Sequence, residues 1–320
     1  MKICLLLLIH FLLAPSITTE DEILSCAVYG SINVCFNATH IQISKSTGAL
    51  KKSYFPTMSS IQSMEFVSNN LTDIEPKFFS KFPELTELII RGNEKFPNIT
   101  RHLLGHCQKL ISLKIYFNMR LHHIDENVLR NFPNLKELII RSERIQHLRK
   151  HDLQVVTNLR VLNLDLTTLK RIDNNAFEPI GKLEELSLMA NNFLHINNEI
   201  FHWIPNLTEL NLIYAEVNDI SFLKKLPKLR ILKLAGNKIS NLFADDVKGL
   251  SELRELDLAH TRIKHIDTSA SFYKNVPKLK KIDITCHDLG SELFDIVNLS
   301  EHGITLIDKY TDIETRTLSC

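Results

Sequence analysis

The sequence has little glycine, no excess of charge of either sign, and few of the short motifs that mark enzymes. Nine glycines in 320 residues are few for loops that cradle phosphates. The G-x-S-x-G, P-loop, H-E-x-x-H and G-x-G-x-x-G motifs are absent. Lysine and arginine number 38 against 37 acidic residues, which argues against a general binder of nucleic acid or of membrane surfaces. We therefore expect no enzyme activity, no catalytic residues, no cofactor and no metal site.

Long apolar runs are also absent after the first twenty residues, so the sequence predicts no membrane span. The run Ile3–Leu13 follows Lys2 and precedes small residues and the acidic run Glu20–Glu22. It is shorter than the ~20 residues that a membrane span needs, and the C-terminus lacks the apolar tail of a GPI signal. Residues 1–19 are predicted to be a secretory signal peptide, and the mature protein to be soluble, secreted and extracellular.

What the chain does contain is a recurring pattern of leucines. From Leu183 to Ile196 it reads L-x-x-L-x-L-x-x-N-x-F-x-x-I, and the same spacing recurs from Leu229 to Leu242. This is the signature of a leucine-rich repeat. The units begin at Ile61, Leu85, Leu110, Leu135, Leu159, Leu183, Leu207, Leu229, Leu253 and Leu279. The sequence therefore predicts an α/β fold, a curved leucine-rich-repeat solenoid of about ten repeats with a parallel sheet on its concave side.

Each unit predicts a short strand, a turn, and a returning segment of loops and short helical turns. The leucines of the strand point inward and the residues between them point outward. An asparagine then follows, whose side-chain amide satisfies backbone groups in the turn. It is found at Asn69, Asn93, Asn118, Asn191 and Asn237. Ala215 stands at this position in the shortest unit; it lacks a hydrogen-bonding side chain, so we expect a local irregularity there.

The two ends of the stack need caps, because an exposed terminal repeat leaves a sheet edge and an open core. We predict an N-terminal cap over residues 20–60, the solenoid over 61–285 and a C-terminal cap over 286–320. In the first cap, the alternation of Ile32, Val34 and Phe36 predicts one strand, and Ile41–Ile43 predicts another.

Five of the six cysteines remain after the predicted signal peptide, an odd number that raises the possibility of a free thiol. Cys107 lies three residues before a unit start, at an apolar position, and is predicted to be a buried inert thiol. The others pair most simply as Cys26–Cys35 and Cys286–Cys320, since a bond between caps would need the two ends of the stack to meet. An intermolecular bond through Cys320 is the alternative.

Histidines occur four residues apart at His102 and His106, and again at His147 and His151. No further ligand accompanies either pair at a recognised metal-site spacing, so we interpret them as solvated surface residues. Five N-glycosylation sequons suit a secreted chain. Their acceptors are Asn37, Asn70, Asn98, Asn206 and Asn298.

The outward positions of the predicted sheet carry two groups that do not fit a merely solvated face. The first group, here called the N-terminal patch, comprises Ile89, Arg91, Tyr116, Phe117, Ile139 and Arg141. The second, the central patch, comprises Leu166, Met189, Ile213 and Tyr214. Aromatic residues, methionine and arginine are enriched in interfaces, so we predict that both patches bind protein. The alternative for Phe117 and Tyr214, near the turn, is packing inward or against loops.

Glutamates share one outward column, at Glu87, Glu137, Glu185, Glu209 and Glu255. A column of like charges is interpreted more simply as part of a solvated concave face than as a set of catalytic acids.

The signal peptide, the Cys26/Cys35 cap, units such as Leu135–Leu148 and the ending Cys286…Leu293…Gly303-Ile304-Thr305-Leu306…Cys320 together carry a family likeness. The chain resembles the secreted leucine-rich-repeat immune proteins of mosquitoes and related insects, most of all their coil-less members. It departs from the better-known members because no heptad-bearing segment follows Cys320.

The resemblance implies a recognition or scaffold protein of extracellular innate immunity. Its partner would be an extracellular protein, such as a complement-like thioester protein or another leucine-rich-repeat protein, with no nucleic acid and no membrane span. The repeats are shared with Toll-type receptor ectodomains and matrix proteoglycans. A matrix protein or a receptor-like decoy without an immune role is therefore the alternative.

Overall fold

The computed structural model describes residues 25–93, 100–118, 123–194, 196–267, 269–285, 299 and 301–307. Within these ranges no helix is long and apolar enough to cross a membrane. The predicted signal peptide and four predicted site residues lie outside them, namely Cys286, Cys320, Asn98 and Asn298.

One long sheet organises the described chain. Its fourteen strands are, in order, β1 Ser25–Tyr29, β2 Ile32–Phe36, β3 His40–Ser44, β5 Ser63–Val67, β7 Glu87–Arg91, β8 Ser112–Tyr116, β9 Glu137–Arg141, β11 Val161–Asn163, β13 Glu185–Ser187, β14 Glu209–Asn211, β15 Ile231–Lys233, β17 Glu255–Asp257, β19 Lys281–Asp283 and β20 Thr305–Ile307. The strands β1, β2 and β3 pair antiparallel, and every pair from β3 onward is parallel. The predicted leucine-rich-repeat solenoid with its parallel sheet is confirmed.

Short elements fill the returning half of each repeat. Three two-stranded parallel sheets join β4 Thr47–Leu50 to β6 Asn70–Ile74, β10 His147–Leu148 to β12 Arg171–Ile172, and β16 Asn241–Leu242 to β18 His265–Ile266. Among the described residues, the α-helices are α1 Arg101–Leu104, α2 Glu126–Leu129 and α3 Ala270–Asn275. The 3₁₀ helices are Lys52–Tyr54, Phe78–Lys81, Glu178–Ile180, Asn198–Trp203 and Ser221–Lys225.

The three α-helices begin at residues whose side chains accept a backbone N–H of the first turn. Thr100, Asp125 and Ser269 are these residues. Such caps satisfy donors that a helix of one turn cannot pair internally. The returning segments thus contain the short helical turns that the sequence predicts.

The core lies between the sheet and the returning segments. Leu183, Leu186 and Leu188 of one unit are 0–1% exposed, and each buried leucine contributes roughly 1.5–3 kcal/mol. On the returning side, Phe201 and Phe222 of adjacent repeats stack with ring centroids 4.3 Å apart. Because every repeat contributes side chains to the same continuous core, no repeat buries its apolar face alone.

A buried row of asparagines joins successive turns. Asn93 is fully buried; its Oδ1 accepts the backbone N–H of Asn69 at 2.8 Å, and its Nδ2 donates to the carbonyl of Phe66 at 3.0 Å. Its own N–H donates to Oδ1 of Asn118 in the next repeat. The predicted role of this position is confirmed, and the amides form a ladder that runs from repeat to repeat.

Ala215 interrupts this ladder in a defined way. In neighbouring repeats the N–H two residues after the ladder position donates to the next asparagine, as Leu169 does to Asn191. The equivalent N–H of Phe193 donates instead to the backbone carbonyl of Ala215, at 2.9 Å. The residue after the alanine, Glu216, adopts a left-handed φ of 62°. The expected irregularity is therefore present, and a backbone carbonyl takes the place of the missing amide.

Two of the cysteine predictions fall on described residues, and both are confirmed. Cys26 and Cys35 form a disulfide between β1 and β2, where they are direct cross-strand partners. Cys107 is a free thiol that is 2% exposed. Burial raises the pKa of this thiol to about 12.

A candidate protein-binding face on the concave sheet

Side chains that alternate along the strands form three rows across the concave face, with neighbours ~4.8 Å apart. The first row holds His40, Ser63, Glu87, Ser112, Glu137, Val161, Glu185, Glu209, Ile231, Glu255, Lys281 and Thr305. The second holds Gln42, Glu65, Ile89, Lys114, Ile139, Asn163, Ser187, Asn211, Lys233, Asp257, Asp283 and Ile307. The third begins with Ser44, Val67, Arg91, Tyr116 and Arg141 and continues through Asp165, Met189 and Ile213. The five predicted column glutamates all fall in the first row, as expected.

In the N-terminal patch a lysine joins two of these glutamates. Nζ of Lys114 lies 2.9 Å from Oε1 of Glu87 and 3.2 Å from Oε2 of Glu137. Ser63 and Ser112 donate to the same two carboxylates. Burial acts to lower the pKa of Lys114, but its bond to Glu87 and the charge of Glu137 outweigh burial and raise it. The charges of this region are therefore already paired and held in place before any partner arrives.

Tyr116 lies between two arginines of the third row, Arg91 and Arg141, which are its partners in the adjacent strands. It is only 8% exposed. Burial raises the pKa of its phenol, while the positive charges of Lys114 and Arg141 act to lower it. Tyr116 keeps its predicted place in the outward third row, but its burial corrects the prediction that it is open to a partner.

Both arginines are bound to acids further along the sheet. Nε of Arg91 lies 2.6 Å from Oε1 of Glu65, and Nη2 of Arg141 lies 2.8 Å from Oδ2 of Asp165. The side chain of Asp165 is fully buried and also accepts Oγ of Ser187 at 2.6 Å. Sequence reasoning missed Lys114, Glu65 and Asp165. The spacing of the rows could have indicated them, because each stands beside a predicted patch residue one repeat away.

Ile89 and Ile139 keep the predicted outward orientation. They lie in the second row on either side of Lys114 and are half-buried. In the central patch, Met189 and Ile213 are also half-buried and adjacent in the third row. These four apolar side chains face the open side of the sheet.

Five predicted site residues lie beyond the end of a strand. Met189 and Ile213 begin the turns that follow β13 and β14, and the other three lie one position further on. Phe117, Leu166 and Tyr214 have left-handed φ values of 56°, 57° and 51°. The same conformation recurs at this position in most described repeats, because the chain must leave the strand toward the buried asparagine. The prediction that these three occupy outward strand positions was wrong. Their side chains stand at the rim of the face, where Phe117 and Leu166 are half-buried.

Tyr214 is the most exposed residue of the central patch, at 38%. Its ring lies directly over Gly236 of the next repeat, and a Cβ built on that glycine would meet ring carbon Cδ1 at 2.2 Å. The alternative of packing against an adjacent loop is thus partly realised, with one side of the ring covered and the other facing solvent.

In the repeats of the central patch, the first row brings two glutamates together. Glu185 is exposed and directly opposite Glu209 in the next strand. Burial and the negative charges of Glu209 and Glu137 raise the pKa of Glu185. Glu209 itself binds Lys233, with Oε1 2.6 Å from Nζ.

The described sequon asparagines differ in accessibility. Asn70 is exposed at the start of β6. Asn37 is half-buried and its Oδ1 accepts the backbone N–H groups of Thr39 and His40. Asn206 is half-buried rather than exposed, because its Nδ2 donates to the carbonyl of Gly181 at 2.9 Å. The amide nitrogen that would carry a glycan at Asn206 is therefore already bound within the protein.

Two family models match the chain over ranges that together run from residue 30 to residue 263. "Leucine rich repeat" matches residues 133–193, 181–239 and 215–263. "BspA type Leucine rich repeat region (6 copies)" matches residues 30–153. The chain is a leucine-rich-repeat protein. No curated protein sequence matches it.

Solved structures share the fold of this leucine-rich-repeat protein at low sequence identity. The leucine-rich-repeat chain in the complex of Latrophilin 3, Unc5D and FLRT2 has a TM-score of 0.67 and 15% identity, with 84% of this chain and 83% of that chain covered. The TLR13–ssRNA13 complex has a TM-score of 0.61 and 21% identity, covering 74% and 37%. The Toll–Spatzle complex of Drosophila has a TM-score of 0.59 and 16% identity, covering 89% and 51%. The chain thus spans about a third to a half of the length of the last two, and identities this low establish the fold alone.

Proposed function

We propose that this leucine-rich-repeat protein is a secreted protein-binding module that recognises its partner through the concave face. The observation that carries the proposal is the outward, half-buried setting of Ile89, Ile139, Met189 and Ile213 on a sheet face. Apolar side chains grouped on an open surface are typical of partner sites. We infer no catalytic role, because Glu65, Glu87, Glu137, Asp165 and Glu209 are each bound to a basic side chain of the same face.

The two arginines of the N-terminal patch and the neighbouring Lys114 support the same function. Arg91, Lys114 and Arg141 are each bound to a carboxylate. A partner that docks here meets side chains whose rotamers are already held, so less conformational entropy is lost on binding.

Secretion and glycosylation belong to the same proposal. The disulfide between Cys26 and Cys35 is typical of proteins that mature in an oxidising compartment. Asn70 is the described sequon whose side chain is most open to a glycosyltransferase.

Within this function we favour recognition or scaffolding in extracellular innate immunity, as the resemblance to secreted insect immune proteins implies. The partner would be an extracellular protein, such as a complement-like thioester protein or another leucine-rich-repeat protein. A matrix protein or a receptor-like decoy using the same face is the second candidate. Induction of expression by infection would favour the first, and constitutive deposition in matrix would favour the second.

The test is affinity capture from native extracellular fluid, quantified by mass spectrometry and repeated with each candidate partner after purification. A triple variant, Ile139→Glu, Met189→Glu and Ile213→Glu, places three charges on the face. We expect it to fold normally, because all three side chains are partly exposed, and to lose the specific partner with an affinity at least about tenfold lower.

The matched control puts the same three charges on exposed apolar residues outside the three rows, with Ile111→Glu, Leu194→Glu and Phe243→Glu. These side chains are 39%, 45% and 49% exposed. Retention of full affinity by the face variant, or equal loss in the control, would contradict the proposal.

A further inference from the structure

A second surface of this protein has three positive charges in register. Arg230, Arg254 and Lys280 each stand one residue before a strand of the concave sheet, and we call them the cationic row. The N–H of Arg254 donates to the carbonyl of Arg230, and the N–H of Lys280 donates to the carbonyl of Arg254, at 2.8 and 2.9 Å. Consecutive members are therefore one strand apart, ~4.8 Å, and the row is ~10 Å long. All three residues are exposed.

Residues around the cationic row are paired across repeats, and the row is not. Two residues earlier in each repeat, Lys278 binds Glu252 at 2.6 Å and Lys228 binds Asn206 at 2.7 Å. Further back along the row's own line, Arg160 binds Glu184 at 2.5 Å. None of the three cations of the row forms an ion pair with a carboxylate of the described residues.

Three like charges in register destabilise the folded protein when no ligand of opposite charge is bound. Like charges on adjacent strands repel, whereas opposite charges in the same places attract. The nearby carboxylate Glu252 has its pKa lowered first by its bond to Lys278 and also by the charges of Arg230 and Arg254. Glu252 is therefore one carboxylate among three nearby cations, so the row keeps a positive electrostatic potential that attracts a partner of opposite charge.

The chemistry of the row matches carboxylates. A guanidinium presents N–H donors in a planar fork that fits a carboxylate in bidentate geometry. Two arginines followed by a lysine give a short line of such positions at the edge of the proposed protein-binding face. Glutamate or aspartate side chains on a short segment of a partner would each find one cation.

Long polyanions fit this surface poorly. Binding to nucleic acid gains strength with the number of phosphates neutralised, and the row offers three cations. An anionic polymer that continued along the row would meet Glu184. One that turned to run along the strands, onto the concave face, would meet Glu255, Asp257 and Asp283. A compact acidic segment of a protein avoids these repulsions.

We infer that Arg230, Arg254 and Lys280 form a docking row for an acidic segment of a protein partner. This rests on the proposed protein-binding function and adds the charge of the partner to it. The row lies outside the apolar residues of the concave patches, so the two surfaces can be tested separately.

The experiment measures binding of a fluorescein-labelled hexaglutamate peptide to the full chain by fluorescence anisotropy at low salt. The variant reverses the row, with Arg230→Glu, Arg254→Glu and Lys280→Glu. We expect the wild-type protein to bind the peptide, with affinity falling as NaCl rises from about 25 to about 200 mM because screening increases. Reversal of the row should weaken binding at least tenfold, with an unchanged circular dichroism spectrum.

The control makes the same change of net charge at three exposed lysines elsewhere, with Lys150→Glu, Lys248→Glu and Lys274→Glu. It should bind the peptide within about twofold of wild type, since only long-range charge has changed. Absence of peptide binding, or equal weakening in both variants, would overturn the inference. So would tighter binding of a heparin octasaccharide or a short single-stranded DNA at the row, which would assign it to a polyanion.

The concave-face variant distinguishes this inference from the proposed function. The Ile139→Glu, Met189→Glu, Ile213→Glu protein should still bind the hexaglutamate peptide, because the row is intact. If the concave-face variant loses its native partner while reversal of the row does not change peptide binding, the two proposals separate. The proposed function then stands, and the docking of an acidic segment on the row is refuted.

Discussion

Replacing Asn237 by alanine tests whether the buried amide ladder stabilises the solenoid. Asn237 is 2% exposed. Its Oδ1 accepts the N–H of Ala215 at 3.1 Å and the N–H of Val217 at 2.9 Å. Its Nδ2 donates to the carbonyls of Leu212 and Leu234, both at 2.7 Å. Alanine removes these four bonds and a longer fifth one, from Nδ2 to the carbonyl of Ala235 at 3.4 Å.

The expected loss follows from the two N–H donors left without an acceptor. A buried unsatisfied donor costs ~1–3 kcal/mol, so the pair predicts that Asn237→Ala lowers the free energy of unfolding by about 2–6 kcal/mol. Urea unfolding followed by circular dichroism measures this loss. Amide hydrogen exchange localises it, and we expect Ala215 and Val217 to lose the most protection.

Asn241→Ala is the matched control in the same repeat. Asn241 is exposed, and its side chain donates only to Oγ of Ser240, at 3.3 Å. Its removal should change the free energy of unfolding by no more than about 0.5 kcal/mol.

The turn at Ala215 shows how Asn237→Ala could be tolerated. At Ala215 the missing amide is replaced by a backbone carbonyl, which accepts the N–H of Phe193. If Val217 can bond to the carbonyl of residue 237 in the same way, Asn237→Ala will cost less than about 1 kcal/mol. Unchanged exchange at Val217 would then show that backbone rearrangement, and not the amide, satisfies the turn.

Three further predictions follow from single contacts. Gly236→Ala should destabilise the protein by about 1–2 kcal/mol, because the left-handed φ of 70° disfavours a side chain and the new Cβ meets the ring of Tyr214; combining it with Tyr214→Ala should recover part of the melting temperature, and strict additivity would contradict the clash. Cys107 should resist iodoacetamide at pH 8 in the native protein and react after unfolding, because burial raises its thiol pKa to about 12; rapid native labelling would contradict this. Burial acts to raise the pKa of Glu87, but hydrogen bonds from Lys114 and Ser63 outweigh it and lower the pKa below 4.5. Ionised Glu87 therefore stabilises the fold at pH values above its pKa in the unfolded chain, and this contribution is lost as the pH falls through its pKa in the folded protein. Glu87→Gln should make the free energy of unfolding depend less on pH in the acid range, and an unchanged dependence would contradict this.

The sequence alone determined the repeat, the alternation of inward and outward residues within the strands, and the asparagine at the turn. These features depend on spacings within one unit, and the unit is repeated often enough to make its periodicity plain. The same periodicity predicted that Cys107 is buried and forms no disulfide. The cap disulfide of Cys26 with Cys35 followed from their position at one end of the stack.

The tertiary structure decided which outward residues are accessible. Tyr116 is 8% exposed between Arg91 and Arg141, its neighbours in the adjacent strands, which are 25 residues away on either side in sequence. Tyr214 stands over Gly236 because the turn places its residue in the left-handed region. Neither fact is contained in the pattern of one unit.

Charge pairing was likewise decided between repeats. Lys114 joins two glutamates, whereas Arg230 and Arg254 lie beside another cation. Residues more than twenty positions apart in sequence come within ~4.8 Å only when the strands stack. Whether an outward charge is neutralised by its neighbour or left open to a partner is therefore a property of the register between repeats, not of any repeat by itself.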